Sequence, residues 1–290
     1  MTEEIHNDDY GRLIVQGADR PGIVANVSGV LTEYGANIVS LDQSSSDPSG
    51  GRFFQRTVFH LPGLSSRLDD LHRALAAKLG VELGLDFRLV EARKRKRVAI
   101  FVSKADHCLL DLLWRQRRGE LHMRVPMVVS NHPDLAGDVR GFGIPFFHVP
   151  VEKETKAVAE KEQLNLLKGN VDLLVLARYM QIVSGEFLDE LGVPVINIHH
   201  SFLPAFMGAG PYQRAKERGV KLVGATAHYV TEDLDEGPII EQDVIRVSHR
   251  ESARELQRRG ADVERLVLSR AVAWHCDDRI IRDGSTTVVF

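Results

Sequence analysis

The chain lacks any apolar run approaching the roughly 20 residues that a membrane span requires. Its opening stretch, Met1 to Asp9, is polar and acidic rather than signal-like. The expectation is a cytoplasmic protein with no membrane partner. Cysteine is scarce: Cys108 and Cys276, two in 290 residues, cannot build a disulfide framework and read as free thiols of a reducing compartment, buried and structural rather than nucleophilic. Net charge is small too, −3 with a pI near 6.5, so no global field draws the protein to nucleic acid. The one dense basic run, Arg93-Lys94-Arg95-Lys96-Arg97, reads as a solvated junction between domains.

Glycine is missing where a phosphate site would need it. The loop after the first strand of the second half reads Ser103-Lys104-Ala105-Asp106-His107, so neither a dinucleotide cofactor nor a phosphorylated substrate is expected there. Metal-ligand spacing is lacking as well. His199, His200 and His228 could converge, but adjacent histidines on a strand face opposite ways and no Cys or H-x-x-x-H set accompanies them; no metal is expected. There is no internal repeat and no low-complexity segment.

What is present is an ordinary globular composition, 43% hydrophobic and 27% charged, with enough chain for two cores. Tyr10 to Gly17 reads as a strand. Asp19-Arg20-Pro21-Gly22 reads as a turn in which Asp19 could cap a helix and Pro21 could occupy its first turn. Ile23, Val27, Val30, Leu31 and Tyr34 recur at helical spacing, and Gly35 ends the helix. Strands are expected over Ile38 to Ser46 and Arg52 to His60 around the turn Asp47 to Gly51, then a helix over Arg67 to Leu79 and a strand over Leu83 to Glu91. The order is βαββαβ, a ferredoxin-like unit over residues 8–91.

Residues 92–97 form the linker, and residues 98–290 alternate strand and helix signals. Strands are expected at Val98 to Val102, Val125 to Val129, Phe146 to Val149, Leu173 to Ala177, around Val195, and at Leu222 to Val230. Helices are expected over Ala105 to Arg118, Glu152 to Leu167 and Ser252 to Trp274, with Thr286 to Phe290 as a last strand. The alternation argues for an α/β domain with a doubly wound, mostly parallel sheet.

Within that domain the stretch Pro194 to Phe206 reads P-V-I-N-I-H-H-S-F-L-P-A-F. Val195, Ile196 and Ile198 make a short apolar strand that cannot run on through Pro204. Asn197 and His199, two apart, leave it on one face, with His200 on the other. An amide and an imidazole at a strand-to-loop edge could polarise a carbonyl, although a lone pair of this kind is more often a satisfied structural group. Downstream, His228-Tyr229-Val230-Thr231-Glu232-Asp233-Leu234-Asp235-Glu236-Gly237-Pro238 places Asp235 on a tight acidic loop.

Two resemblances are carried by these residues. D-R-P-G-I-V-A, Asp19 to Ala25, is similar to the signature of ACT domains. The resemblance implies pairing of protomers, a homodimer or homotetramer, and an amino-acid effector near Asp19, Arg20, Pro21, Gly22, Ile23 and Asn37; dimerisation alone is the equal alternative. I-N-I-H-H-S-F-L-P-A-F joined to H-Y-V-T-E-D-L-D-E-G-P-I-I resembles the folate-dependent formyltransferase superfamily. His200-Ser201-Phe202, the stretch Gly219 to Val230 and the ACT domain in front are similar to its hydrolytic branch, the formyltetrahydrofolate deformylases. Where that branch has a lysine before the Pro-Tyr pair, Gly210 precedes Pro211-Tyr212.

The resemblance implies hydrolysis of 10-formyltetrahydrofolate to tetrahydrofolate and formate, supplying purine synthesis, with Asn197, His199 and Asp235 as the catalytic set. It places the folate slot between the run Arg178, Tyr179, Met180, Gln181, Ile182 and Val183 on one side and the loop Thr231, Glu232, Asp233, Leu234 and Asp235 on the other, shaped by His228; plain core packing is the alternative for Met180 and Ile182. No bound cofactor is implied, folate being the substrate. Two other functions would use the same residues. One is formyl transfer to an amine or to tRNA, the latter calling for a basic C-terminal domain; the other is a non-catalytic folate or amino-acid sensor.

Overall fold

The computed structural model describes residues 8–47, 49–204 and 211–290, so Pro48 of the first hairpin turn, Ala205 and Phe206 of the long motif, and Gly210 ahead of the Pro-Tyr pair lie outside the described residues. The chain divides into two compact units, Met1–Arg95 with Asp277–Ile281 and Val288–Phe290, and Lys96–Cys276 with Arg282–Thr287. No helix among the described residues is long and apolar enough to cross a membrane.

The first unit runs Tyr10–Ala18 (β1), Ile23–Glu33 (α1), Asn37–Ser45 (β2), Arg52–His60 (β3), Leu64–Leu75 (α2) and Asp86–Glu91 (β4). These strands pair in the order β2-β3-β1-β4. The helical stripe expected of α1 is the buried one: Ile23, Val27, Val30 and Leu31 pack with Leu13, Val15, Phe53 and Phe59 of the sheet. Helix α1 begins later than the turn motif suggests. Gly22, at φ 91°, is its cap, with no side chain capping it, and Pro21 precedes it. Asp19 instead accepts a hydrogen bond from Ser45 Oγ, because β1 and β2, on either side of β3, end at the same edge of the sheet. Helix α2 starts at Leu64, before the expected Arg67, and continues as a π-helical turn over Ala76–Glu82.

The reverse face of this sheet is not open to water. Ile14 and Phe54 pack there against Ile281, with Val90, Val288 and Phe290 alongside. Arg12, 1% exposed, reaches Asp277 and Asp278 at 3.2 Å each, and Arg88 reaches Asp278 at 3.1 Å. Arg56 donates to the backbone carbonyls of both aspartates. The C-terminal residues 277–281 and 288–290, read from the sequence as part of residues 98–290, thus pack with the first unit. An arginine on each of three strands looks solvated until the acids near it in space are found, 190 residues or more further along the chain.

The second unit is built on an eight-stranded sheet. Lys96–Val102 (β5), Val128–Ser130 (β7), Phe146–His148 (β8), Leu173–Leu176 (β9) and Val195–His199 (β10) are parallel, and Met123–Arg124 (β6) pairs with β5. Leu222–Tyr229 (β11) and Ile239–Arg246 (β12) join antiparallel, giving the order β12-β11-β10-β9-β5-β7-β8. Helices His107–Arg117 (α3), Ala136–Gly141 (α4), Lys156–Leu167 (α5), Gly185–Leu191 (α6), Pro211–Glu217 (α7) and Ala253–Cys276 (α8) complete it. The central strands are buried on both faces, as a sheet covered by helices requires; every residue from Val98 to Val102 is 0% exposed. The C-terminal ends of β5, β9 and β10 lie side by side, which is where ligands bind in such sheets.

Candidate active site

Strand β10 ends at His199, and the segment after it is pinned by buried Thr226 of β11. Thr226 Oγ1 accepts from the Leu203 amide at 3.0 Å and donates to the Ser201 carbonyl at 2.9 Å. Gln242 of β12 donates to Thr226 Oγ1 and to the Leu203 carbonyl. The neighbouring edge, Arg178 to Met180 after β9, is held by Ser103 at the end of β5. Its Oγ accepts from the Met180 amide at 3.0 Å and donates to Asn131 at 2.7 Å, and its amide donates to the Arg178 carbonyl. The loop that lacks the glycines of a phosphate cradle thus positions a wall of the site.

His199 and His228 meet Asp235, and Asn197 reaches His228. Asp235 Oδ2 lies 3.2 Å from His199 Nδ1, and Oδ1 lies 3.7 Å from His228 Nε2. Asp235 sits at φ 60°, a left-handed conformation that aspartate tolerates better than most residues. His228 Nδ1 is 2.9 Å from the Tyr229 carbonyl, which can only accept, so Nδ1 carries a proton. Burial lowers the His228 pKa from 6.5, leaving the ring neutral at pH 7 with its lone pair on Nε2. That lone pair, 3.2 Å from Asn197 Nδ2, accepts from the amide and fixes which way it faces. His199 Nε2 is buried and without a hydrogen-bond partner among the described residues.

The hydrogen bond with His199 holds the Asp235 carboxyl below its ordinary 3.8, burial opposing and the charges of the histidines adding to the effect. A depressed carboxylate of this kind stabilises the fold fully above pH 3.8, and that contribution is lost as pH falls through its lower folded value.

These groups open into a cavity of about 290 Å³. Its walls include Met180, Gln181, Ile182 and Val183 on one side and Thr231, Glu232, Asp233 and Leu234 on the other, so all the expected substrate-side residues share one space. Met180 and Ile182, each 59% exposed, are an apolar rim rather than core. The turn residues Asp19 to Ile23 lie together in the first unit, but Asn37 does not join them. Asn37 pairs with His60, which is opposite Tyr10, at the far end of β1 from Asp19. Some nine strand positions at ~3.3 Å each separate the two places.

Sequence reasoning misses His200, and it places Arg178 only at the edge of the slot without its partner. Strand alternation assigns His200 to the opposite face, but alternation stops with the strand at His199, and the His200 ring lies 5.3 Å from that of His199 and lines the same cavity. Burial, then the charge of Arg178, lowers its pKa to about 4, so it is neutral at pH 7. Arg178, at φ 62°, has its Nε 3.5 Å from Glu264 Oε2 on α8. Glu264, 1% exposed, also accepts from His107 Nε2 at 2.8 Å and from the Tyr212 hydroxyl at 2.6 Å. Burial alone would raise its carboxyl, yet His107, Arg178 and Tyr212 together bring it down to about 2. Neither the left-handed backbone of Arg178 nor its tie to Glu264, 86 residues further on, is visible to periodicity, so only the three-dimensional site reveals them.

Gly237 closes the Asp235 loop. A Cβ there would collide with the Tyr229 carbonyl, the group that orients His228. Gly237→Ala is expected to cost about 1–3 kcal/mol of stability and to lower turnover in parallel. A urea midpoint and turnover both equal to wild type would show that the loop absorbs the methyl.

Residues 96–272 match the family model described as formyl transferase, and residues 11–76 match that of the ACT domain. A formyltetrahydrofolate deformylase of Mycobacterium tuberculosis is 63% identical over 282 residues, 97% of this chain and 91% of that protein. One from Bacillus subtilis is 50% identical over 285 residues, 98% of this chain and 95% of that protein. The crystal structure of a formyltetrahydrofolate deformylase from Pseudomonas syringae superposes with a TM-score of 0.93 at 44% identity, covering 97% of this chain and 94% of that one. With both domains in the same order and identity sustained along nearly the whole length, this chain belongs to the formyltetrahydrofolate deformylase family.

Proposed function

We propose that the protein hydrolyses 10-formyltetrahydrofolate to tetrahydrofolate and formate in the cytoplasm, formate that purine synthesis can use. The observation that carries this reading is the Asn197, His199 and Asp235 cluster opening into a cavity with an apolar rim, in a chain of this family. The pterin enters between Met180 to Val183 and Thr231 to Leu234, leaving the formyl group over Asn197 and His199. Hydrolysis builds negative charge on the formyl oxygen, which needs donors fixed in advance. Asn197 has one N–H held by His228 and one left for that oxygen. Water attacks the formyl carbon and gives its proton to the Asp235–His199 pair, which acts as a unit. The C–N10 bond breaks, its electron pair stays on N10, and N10 takes the proton back.

No bound metal or nucleotide enters these steps. Formate released from 10-formyltetrahydrofolate with chelator present and no amine added is the test. Equal formate and tetrahydrofolate support the reading; turnover only after addition of an amine or charged tRNA would replace it with a transferase.

The ACT unit is read as the pairing surface of a homodimer or homotetramer and as the seat of an amino-acid effector at the turn Asp19 to Ile23. Calorimetry with glycine, methionine and serine should show heat with at least one, and none with any would leave the unit a dimerisation module.

A further inference from the structure

Beside the folate cavity lies a second one of about 670 Å³, walled by His107 and Glu264 and by exposed Arg254, Glu255 and Arg258 at its solvent side. Among the described residues only Arg178 lines both cavities. Its side chain is 12% exposed and is drawn toward Glu264, which is itself held from two other directions by His107 and Tyr212. The backbone under it, φ 62°, is a conformation a glycine would adopt at no cost. A long cationic side chain therefore stands at a strained position, anchored to a buried carboxylate, between the reacting groups and a space open to solvent. No cation is needed to explain the nearby His107, Cys108 and Glu264, whose ligand atoms lie within 4.8 Å, because His107 and Tyr212 each hydrogen-bond one oxygen of the carboxylate and Arg178 faces it with a positive charge at 3.5 Å.

We propose that Arg178 determines the acceptor: it closes the folate cavity against the second one, so that water reaches the formyl carbon and a primary amine does not. The proposal rests on the hydrolytic reading above. The fold matches a family described by formyl transfer, and Asn197, His199 and Asp235 could serve either outcome. With water, a C–O bond forms, C–N10 breaks, and N10 leaves with a proton. With an amine, a C–N bond forms, C–N10 breaks, and N10 takes the proton the amine gives up. Oxidation states are the same on both paths, so the choice lies in which nucleophile arrives. A guanidinium in the wall blocks the way and repels the ammonium form of an amine.

The test compares products from 10-formyltetrahydrofolate with and without glycinamide, a small primary amine. Wild type should yield formate alone. Arg178→Gly, which suits the left-handed backbone, should raise the ratio of formylated amine to formate at least ~10-fold, the lower range of discrimination by pocket shape. Arg178→Met, which keeps the bulk, should stay near the wild-type ratio. A product ratio does not depend on the fraction of enzyme folded, so an unchanged ratio in Arg178→Gly overturns the proposal. Should that variant make neither product, saturation-transfer NMR with tetrahydrofolate bound should detect glycinamide on Arg178→Gly and not on wild type, and equal signals would overturn it. Failure of wild type to release formate without amine would instead count against the hydrolytic reading.

Discussion

Asp235→Asn is expected to lower turnover at least ~10²-fold while folate affinity stays within a few-fold, the signature of a lost proton acceptor. Asparagine is nearly isosteric and tolerates the left-handed backbone at φ 60° at least as well as aspartate, so the loop keeps its shape. What changes is the chemistry 3.2 Å from His199 Nδ1: a carboxylate that can share a proton becomes an amide that cannot. Steady-state turnover with calorimetric binding of a folate analogue separates the two effects. Near-normal turnover would remove Asp235 from the mechanism; a parallel loss of binding would make it a substrate anchor.

Asp278→Asn should cost the first unit about 3 kcal/mol, because removing one partner of a buried ion pair leaves the other charge poorly compensated. Asp278 is 1% exposed by side chain, and both Arg12 and Arg88 reach it. Its φ of 53° again favours asparagine over alanine as the probe, keeping backbone strain out of the comparison. Asp277→Asn is the control. Its side chain is 33% exposed, solvent screens it, and the loss should be no more than about 1 kcal/mol. Urea denaturation of both variants decides the matter, and equal losses would mean that burial does not set the strength of this cluster.

Periodicity serves well where one face is buried. The α1 stripe and the βαββαβ order follow from apolar spacing, and Asn197, His199 and Asp235 stand out because two separated motifs agree in residue and order. It fails where the physical cause is not local. Strand β12, IIEQDVIR, passes unread because its burial is irregular beside a single neighbour, β11. The cluster of Arg12, Arg56 and Arg88 cannot be recognised without Asp277 and Asp278. His200 is misplaced when the two-residue repeat of a strand is carried one residue past its end.

The salt-bridged reverse face of the first sheet also bears on synthesis. Asp278 is made 266 residues after Arg12, so at translation rates of about 5–20 residues per second the strands that open the chain wait on the order of ten seconds or more for the acids that neutralise them. Until then Arg12 has no reason to be buried, and the nascent domain stays open on one side. Completion of the first domain is thereby tied to delivery of Asp277 and Asp278, so a chain interrupted upstream of them would present an unfinished surface to the machinery that inspects new proteins.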